Sequence, residues 1–119
     1  MAKTVMIVDD ARFMRLRVSK LLNEHGFEVV EATDGEEAVQ TYRSTHPDAV
    51  LMDITMPRKD GLVALGEIRE FDPQARVIML TALGQQTMVL QAMKSGAMDF
   101  LVKPYDPDKV IKTLHKALG

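Results

Sequence analysis

Short runs of apolar residues alternate along this chain with segments in which apolar residues recur at helical spacing. Runs this short, bounded by polar residues, are typical of β-strands. The five runs lie at residues 5–8, 29–30, 49–52, 77–80 and 100–102. Each is followed by a segment such as Met14, Val18 and Leu22, whose spacing predicts an amphipathic helix. The helices are expected around residues 14–22, 34–42, 62–68, 88–93 and 110–118.

The alternation predicts an α/β domain of the type (βα)5, with a five-stranded parallel sheet and helices on both faces. The runs at 5–8, 49–52 and 77–80 are apolar throughout, which indicates central strands buried on both sides. The run around Val29 is shorter and more polar, so we place it at an edge. The flavodoxin-like order 2-1-3-4-5, already known for doubly wound sheets, would put the first and third strands side by side.

The composition narrows the class of protein. A chain of 119 residues suits one domain over residues 1–119, and a formal net charge of −2 offers no basic surface for nucleic acid. The chain has no cysteine, which excludes disulfides and thiolate metal sites. It shows no signal-peptide core and no apolar run near the roughly 20 residues of a membrane span. We expect a cytoplasmic protein that binds neither nucleic acid nor membrane.

Polar residues whose side chains can take part in binding or catalysis follow four of the five strands. Asp9 and Asp10 follow the first, Asp53 the third, Thr81 the fourth and Lys103 the fifth. Each has an ordinary structural interpretation: Asp10 or Thr81 as a helix cap, Asp53 as a turn residue, Lys103 as a solvated lysine. Because the carboxyl ends of parallel strands share one edge, where ligands bind, their combination favours a functional site.

The chemistry of such a cluster points to a metal and a phosphoryl group. Two carboxylates about 4 Å apart repel by roughly 4 kcal/mol at an effective dielectric of 20, so three together require a proton, a lysine or a cation. All-oxygen ligands without histidine or cysteine suit Mg²⁺. Thr81 and Lys103 are suitable partners for phosphoryl oxygens. Asp53, on the central strand, is the best placed nucleophile for an aspartyl phosphate.

Four stretches together resemble the receiver domain of bacterial two-component response regulators: VMIVDDARFMR, VLMDITMPRKDGL, VIMLTALG and FLVKPYDP. The resemblance covers the whole chain. The stretch TALGQQTMVLQAMKSGAMDFLVKP is most similar to the stand-alone chemotaxis regulators of that family. The resemblance implies a signalling switch rather than an enzyme with a separate substrate. Asp53 would accept a phosphoryl group from the phosphohistidine of a histidine kinase.

The resemblance also implies a ligand set for Mg²⁺. Asp10 and Asp53 would bind the ion directly, together with the backbone carbonyl of Thr55. Asp9 would support it, usually through water.

The remaining implied roles concern the phosphoryl oxygens and the switch. Thr81 and Lys103 would bind those oxygens, and the Lys103–Pro104 peptide bond would be cis. The switch aromatic of the family, often tyrosine, is Phe100 here, which has no hydroxyl to bond or expose. Phosphorylation would change the face made by the fourth helix, the fifth strand and the fifth helix.

We also expect a phosphodonor and an output partner, and other functions are open as alternatives. A monomer would take its phosphoryl group from a histidine kinase and act on an output protein, such as a flagellar-motor or phosphatase partner. The alternatives are a phosphohydrolase of the haloacid-dehalogenase type, or a receiver domain excised from a longer DNA-binding regulator. The chain lacks the glycine-rich motif that a nucleotide- or flavin-binding module would require. The stretch GQQ, residues 84–86, is either a polar first turn of the fourth helix or part of a partner-binding face.

Overall fold

The computed structural model describes residues 2–82 and 84–119; Met1, and Leu83 of the VIMLTALG stretch, lie outside the described residues. Strands and helices alternate along the chain as predicted. The strands are β1 (Thr4–Val8), β2 (Glu28–Ala32), β3 (Ala49–Asp53), β4 (Val77–Thr81) and β5 (Asp99–Val102). The helices are α1 (Arg12–Glu24), α2 (Gly35–Thr45), α3 (Gly61–Phe71), α4 (Gln86–Lys94) and α5 (Pro107–Leu118).

The five strands form one parallel sheet in the order β2-β1-β3-β4-β5, which confirms the predicted fold class. The three wholly apolar runs are the three central strands, and β2 lies at an edge. In register, Ile7 pairs with Leu51 and Leu51 pairs with Ile78. Successive residues of each strand enter separate cores, so that Met6, Met52 and Met79 fill one face while Ile7, Leu51 and Ile78 fill the other.

Two strands end one residue later than their apolar runs, and this changes where the chemistry begins. Asp53 and Thr81 are the last residues of β3 and β4, not the first residues beyond them. Their backbones are therefore held in the sheet, where Asp53 pairs with Leu80. A side chain on a paired strand is positioned more firmly than one on a free loop.

Two cap interpretations are wrong. Asp10 does not cap α1, because the helix begins at Arg12 after Ala11, and the Ala11 N–H donates to Asp9 Oδ1 at 2.9 Å. Thr81 does not cap α4, because that helix begins five residues later at Gln86. Asp34 is a true N-cap: its carboxylate accepts from the Glu37 N–H at 2.9 Å at the start of α2.

The loop between β3 and α3 returns tightly to the end of β3. The Gly61 N–H donates to the Ile54 carbonyl at 2.6 Å, and a Cβ atom on residue 61 would collide with the Asp53 carbonyl oxygen. Only glycine permits this approach, so Gly61 fixes where the chain beyond Asp53 runs.

The amino ends of the strands lie at the opposite edge of the sheet. Here Ala2 and Lys3, at the start of the described chain, line the same cavity of about 370 Å³ as Leu118 and Gly119 at its end. Among the helices within residues 2–82 and 84–119, none combines the length and the apolar character that crossing a membrane requires.

Candidate functional site

Three carboxylates meet at the carboxyl edge of the sheet. Asp9 and Asp10 follow β1, and Asp53 ends the neighbouring strand β3. One oxygen from each lies within 4.8 Å of the other two. Asp9 is buried, Asp53 is half-buried and Asp10 is exposed, so the cluster has a closed floor and an open side.

Lys103 supplies the positive charge of the cluster. Its Nζ lies 3.1 Å from Asp53 Oδ2 and 3.4 Å from Asp9 Oδ2. The Lys103 backbone N–H donates to the Thr81 carbonyl at 2.7 Å, and the Lys103–Pro104 peptide bond is cis. The interpretation of Lys103 as a freely solvated lysine is therefore wrong.

The charges of the cluster perturb one another. Burial raises the pKa of Asp53, and the carboxylates of Asp9 and Asp10 add to that rise, while the Lys103 ammonium opposes it. Burial lowers the pKa of Lys103, but the carboxylates of Asp53 and Asp9 outweigh that effect and leave it raised. Asp53 is thus a carboxylate that gains from an additional positive charge beside it.

The donor set fits a hard divalent cation. The three aspartates offer only oxygen ligands, which Mg²⁺ prefers, and the exposed side of the cluster leaves room for the waters that this ion retains. Thr55 lies two residues beyond Asp53 in an exposed position, so its backbone is close in the chain to the cluster.

Thr81 and Phe100 border one groove beside the cluster. Thr81 is 1% exposed and its hydroxyl donates to the Leu101 carbonyl over 3.4 Å. Phe100 is 39% exposed. The groove has a volume of about 390 Å³ and is lined by residues 81–82, 84–86, 89–90, 93, 100 and 102. The structure thus places these two residues next to a common space, without a direct contact between them among the hydrogen bonds and ring contacts of the described chain.

The β3–α3 loop is anchored to the start of α2 by charged residues that sequence reasoning missed. The buried carboxylate of Asp34 forms an ion pair with Arg58, whose backbone has φ = +64°. Lys59 pairs with Glu36 at 3.1 Å and also with Glu67 of α3. The only sequence signal for this anchoring is Asp34 at the start of a predicted helix. That position indicates a helix cap, but it does not indicate that Arg58 pairs with the capping carboxylate.

Gln85 is a second residue whose contacts the sequence did not reveal. Its side chain bonds to the Ala82 N–H and to the Thr55 hydroxyl. The stretch GQQ was interpreted only as a polar first turn or a partner face, because a contact 30 residues back along the chain leaves no local signature.

Comparison with known proteins agrees with this geometry. The family model described as the response regulator receiver domain matches residues 5–115. The chain is 51% identical to chemotaxis protein CheY of Bacillus subtilis (strain 168) over 120 residues, covering 100% of both chains. It is 50% identical to chemotaxis protein CheY of Thermotoga maritima, covering 98% of each.

Solved structures of response regulators are similar to this fold. The fold superposes with a TM-score of 0.93 on a chain of the CheX-CheY-BeF3-Mg+2 complex from Borrelia burgdorferi, at 40% identity, covering 98% of this chain and 90% of that one. A response regulator from Chloroflexus aurantiacus superposes with a TM-score of 0.94 at 30% identity, covering 99% and 98%.

Proposed function

Because this chain belongs to the response regulator receiver domain family, whose members are phosphorylation-dependent switches, we propose that Asp53 is its phosphoryl acceptor. The family is a standard example of the strand order 2-1-3-4-5. The order observed in this chain therefore follows from membership of the family and adds no separate support for the role of Asp53. The observation that carries the proposal is the meeting of three carboxylates and Lys103 at Asp53, the last residue of a central strand.

The reaction is a transfer between two side chains. A carboxylate oxygen of Asp53 attacks the phosphorus of a phosphohistidine on the kinase. The new O–P bond forms as the P–N bond breaks, and its electron pair returns to the imidazole nitrogen of the kinase. Asp53 must be ionised to attack, and the Lys103 ammonium 3.1 Å away favours the ionised form.

Mg²⁺ is the cofactor that the donor set supports, and receiver domains bind this ion at an acidic pocket. We assign Asp10, Asp53 and the Thr55 carbonyl as direct ligands, with Asp9 supporting them. When bound, the ion neutralises the carboxylates and the incoming phosphoryl oxygens. Lys103 then has less carboxylate charge to offset and is available to a phosphoryl oxygen.

Thr81 and Lys103 are the proposed ligands of the phosphoryl group. They are already linked, because the Lys103 N–H bonds to the Thr81 carbonyl. A shift of Thr81 toward the phosphoryl group changes the groove that Phe100 also borders. The altered surface of α4, β5 and α5 is the proposed signal.

The biological setting follows from the relatives. We propose a cytoplasmic chemotaxis switch, monomeric, with one receiver unit over residues 1–119, a histidine kinase as donor and a motor or phosphatase protein as output partner. The similarity to the CheY relatives supports a role in chemotaxis. A haloacid-dehalogenase-type enzyme needs a second carboxylate at residue 55, where this chain has threonine.

The acceptor is tested by intact-mass analysis after incubation with a small phosphodonor and Mg²⁺. Wild type should gain one phosphoryl group that hydroxylamine removes, and Asp53→Asn should gain none. Asp108→Asn, an exposed aspartate on α5, is the matched control and should react as wild type. Full stoichiometry in Asp53→Asn contradicts the assignment, and sustained turnover of a generic phosphomonoester by wild type favours the phosphohydrolase.

A further inference from the structure

The side chain of Gln85 joins the two chain segments that follow Asp53 and Thr81. Its Oε1 accepts from the Ala82 N–H at 2.6 Å, and its Nε2 donates to the Thr55 hydroxyl at 3.0 Å. Ala82 directly follows Thr81, and Thr55 lies two residues beyond Asp53. One carboxamide therefore ties the segment of the proposed acceptor to the segment of the proposed phosphoryl ligand.

The Ala82 N–H cannot move independently of Thr81. It belongs to the same planar peptide group as the Thr81 carbonyl, which accepts the Lys103 N–H at 2.7 Å. The Thr55 side is held by other groups, because the preceding residue, Ile54, bonds through its N–H to the Leu80 carbonyl, in the peptide group that precedes Thr81, and through its carbonyl to the Gly61 N–H. A displacement of the peptide group that follows Thr81, relative to the one that precedes it, thus changes the distance that the Gln85 carboxamide must span.

Phosphorylation supplies a reason for that displacement. The Thr81 hydroxyl donates over 3.4 Å, which is long for an O–H···O hydrogen bond. A charged phosphoryl oxygen on Asp53 is a stronger acceptor. When Thr81 moves toward it, Ala82 moves as well, and Gln85 no longer keeps both of its bonds.

We propose that Gln85 is a positioning residue whose hydrogen bonds to Ala82 and Thr55 stabilise the unphosphorylated arrangement and thereby weaken binding of a phosphoryl group. This inference rests on the proposed function of Asp53 as the acceptor. Ala82 and Thr55 are both exposed, so water replaces the carboxamide when it leaves and the bias is modest. Gln85 also lines the groove beside Thr81 and Phe100, so its release reshapes that groove.

The test is a titration with beryllofluoride, an analogue of the acyl phosphate, in the presence of Mg²⁺. Gln85→Ala and the similarly long but apolar Gln85→Met should both bind it about fivefold more tightly than wild type, the equivalent of about one hydrogen bond. Gln86→Ala is the control, since residue 86 is the exposed neighbour at the start of α4, and it should bind as wild type. General damage to the site would weaken binding and not tighten it.

The partner of the bond is tested by Thr55→Val, which removes the hydroxyl and keeps the backbone carbonyl. This variant should also tighten binding, and its effect combined with Gln85→Ala should be smaller than the product of the two single effects. Strictly multiplicative effects would show that the two side chains act separately and would overturn the inference.

The two levels of the hypothesis can fail separately. If Asp53→Asn binds beryllofluoride like wild type, the acceptor assignment is wrong. If Asp53→Asn loses binding while Gln85→Ala binds as wild type or more weakly, the acceptor stands and the role of Gln85 is overturned. Without any phosphate analogue, Gln85→Ala should move the amide resonance of Ala82 further than Gln86→Ala does, and an unmoved resonance contradicts the hydrogen bond itself.

Discussion

At the scale of single residues, Asp34 shows one carboxylate performing two structural tasks. It caps α2 through the Glu37 N–H and pairs with Arg58 of the loop that follows Asp53. The Glu37 N–H is the largest cause of the lowered pKa of Asp34, and Arg58 adds to it against the opposing effect of burial. The start of α2 and the β3–α3 loop are thereby coupled through one charge.

This coupling predicts a pH dependence of stability. The pKa of Asp34 is lower in the folded protein than its ordinary value of 3.8, so its contribution is complete above that pH and is lost as the pH falls further. Asp34→Asn keeps a capping oxygen but has no charge. In urea unfolding, wild type should exceed Asp34→Asn in free energy of unfolding at pH 7, and the gap should shrink below pH 3.8.

Asp108→Asn serves as control, because its exposed carboxylate lies on another element. A gap between wild type and Asp34→Asn that stays constant down to pH 2.5 would show that Asp34 gains nothing from its charge.

Single residues also show what the sequence could and could not predict. Asp9, Asp10, Asp53 and Lys103 could be placed at one edge from the sequence because each lies within two residues of the end of an apolar run, and the carboxyl ends of parallel strands share an edge. The contacts of Gln85 were not predictable, since they depend on how two loops approach in space. The cap interpretation of Asp10 was wrong because Asp9 makes the local bond to Ala11 instead.

At the scale of elements, the face made by α4, β5 and α5 combines exposed apolar residues with a connection to the site. Leu90 of α4 is 64% exposed, and Phe100 and Val102 alternate outward on β5. Thr81 at the end of β4 borders the same groove. Thr81 and these apolar residues therefore share one groove.

We expect the Phe100 ring to move inward on phosphorylation and to be held by packing alone, because it has no hydroxyl. Phe100→Tyr should leave phosphorylation of Asp53 unchanged, whereas Phe100→Ala should uncouple phosphorylation from partner binding by about tenfold. NMR shift mapping with beryllofluoride measures the coupling. Shifts confined to residues touching the analogue, with residues 84–118 unchanged, would contradict it.

The pattern of apolar residues predicted the central strands well, because burial on both faces requires an apolar sequence. The runs of β1, β3 and β4 are apolar throughout because both faces of each strand are covered. The apolar run at residues 29–30 is shorter than β2 because Glu28 and Glu31 belong to this edge strand and are exposed. Their polar side chains hide the full length of the strand in the sequence pattern.

At the scale of the whole molecule, folding brings together three carboxylates whose mutual repulsion is reduced by Lys103 and by a bound cation. The parallel sheet brings Asp9, Asp10 and Asp53 together only in the folded chain, so a cation that binds there stabilises the fold through linkage. The strand order itself could be anticipated only from known folds, because hydrophobic pattern alone does not distinguish one order of central strands from another.

We predict that Mg²⁺ raises the melting temperature. A tenfold excess over its Kd should contribute about 1.4 kcal/mol, or about 6 °C for a domain of this size. Asp10→Ala should abolish this increase and, by removing a repelling charge, should not lower the melting temperature measured in EDTA. Thermal unfolding with Mg²⁺ and with EDTA measures both effects. An undiminished response to Mg²⁺ in Asp10→Ala would exclude Asp10 as a ligand.

The cavity shared by residues 2–3 and 118–119 has a practical consequence for biosensor design. Both described chain ends lie at the edge of the sheet opposite the carboxylates. Fluorescent proteins fused at the two ends would be side by side and remote from the cluster, so a change in energy transfer between them would report little of the switch. A sensor needs one fluorophore on the exposed face of α4 instead, while the described chain ends suit surface immobilisation or joining in a circular permutant.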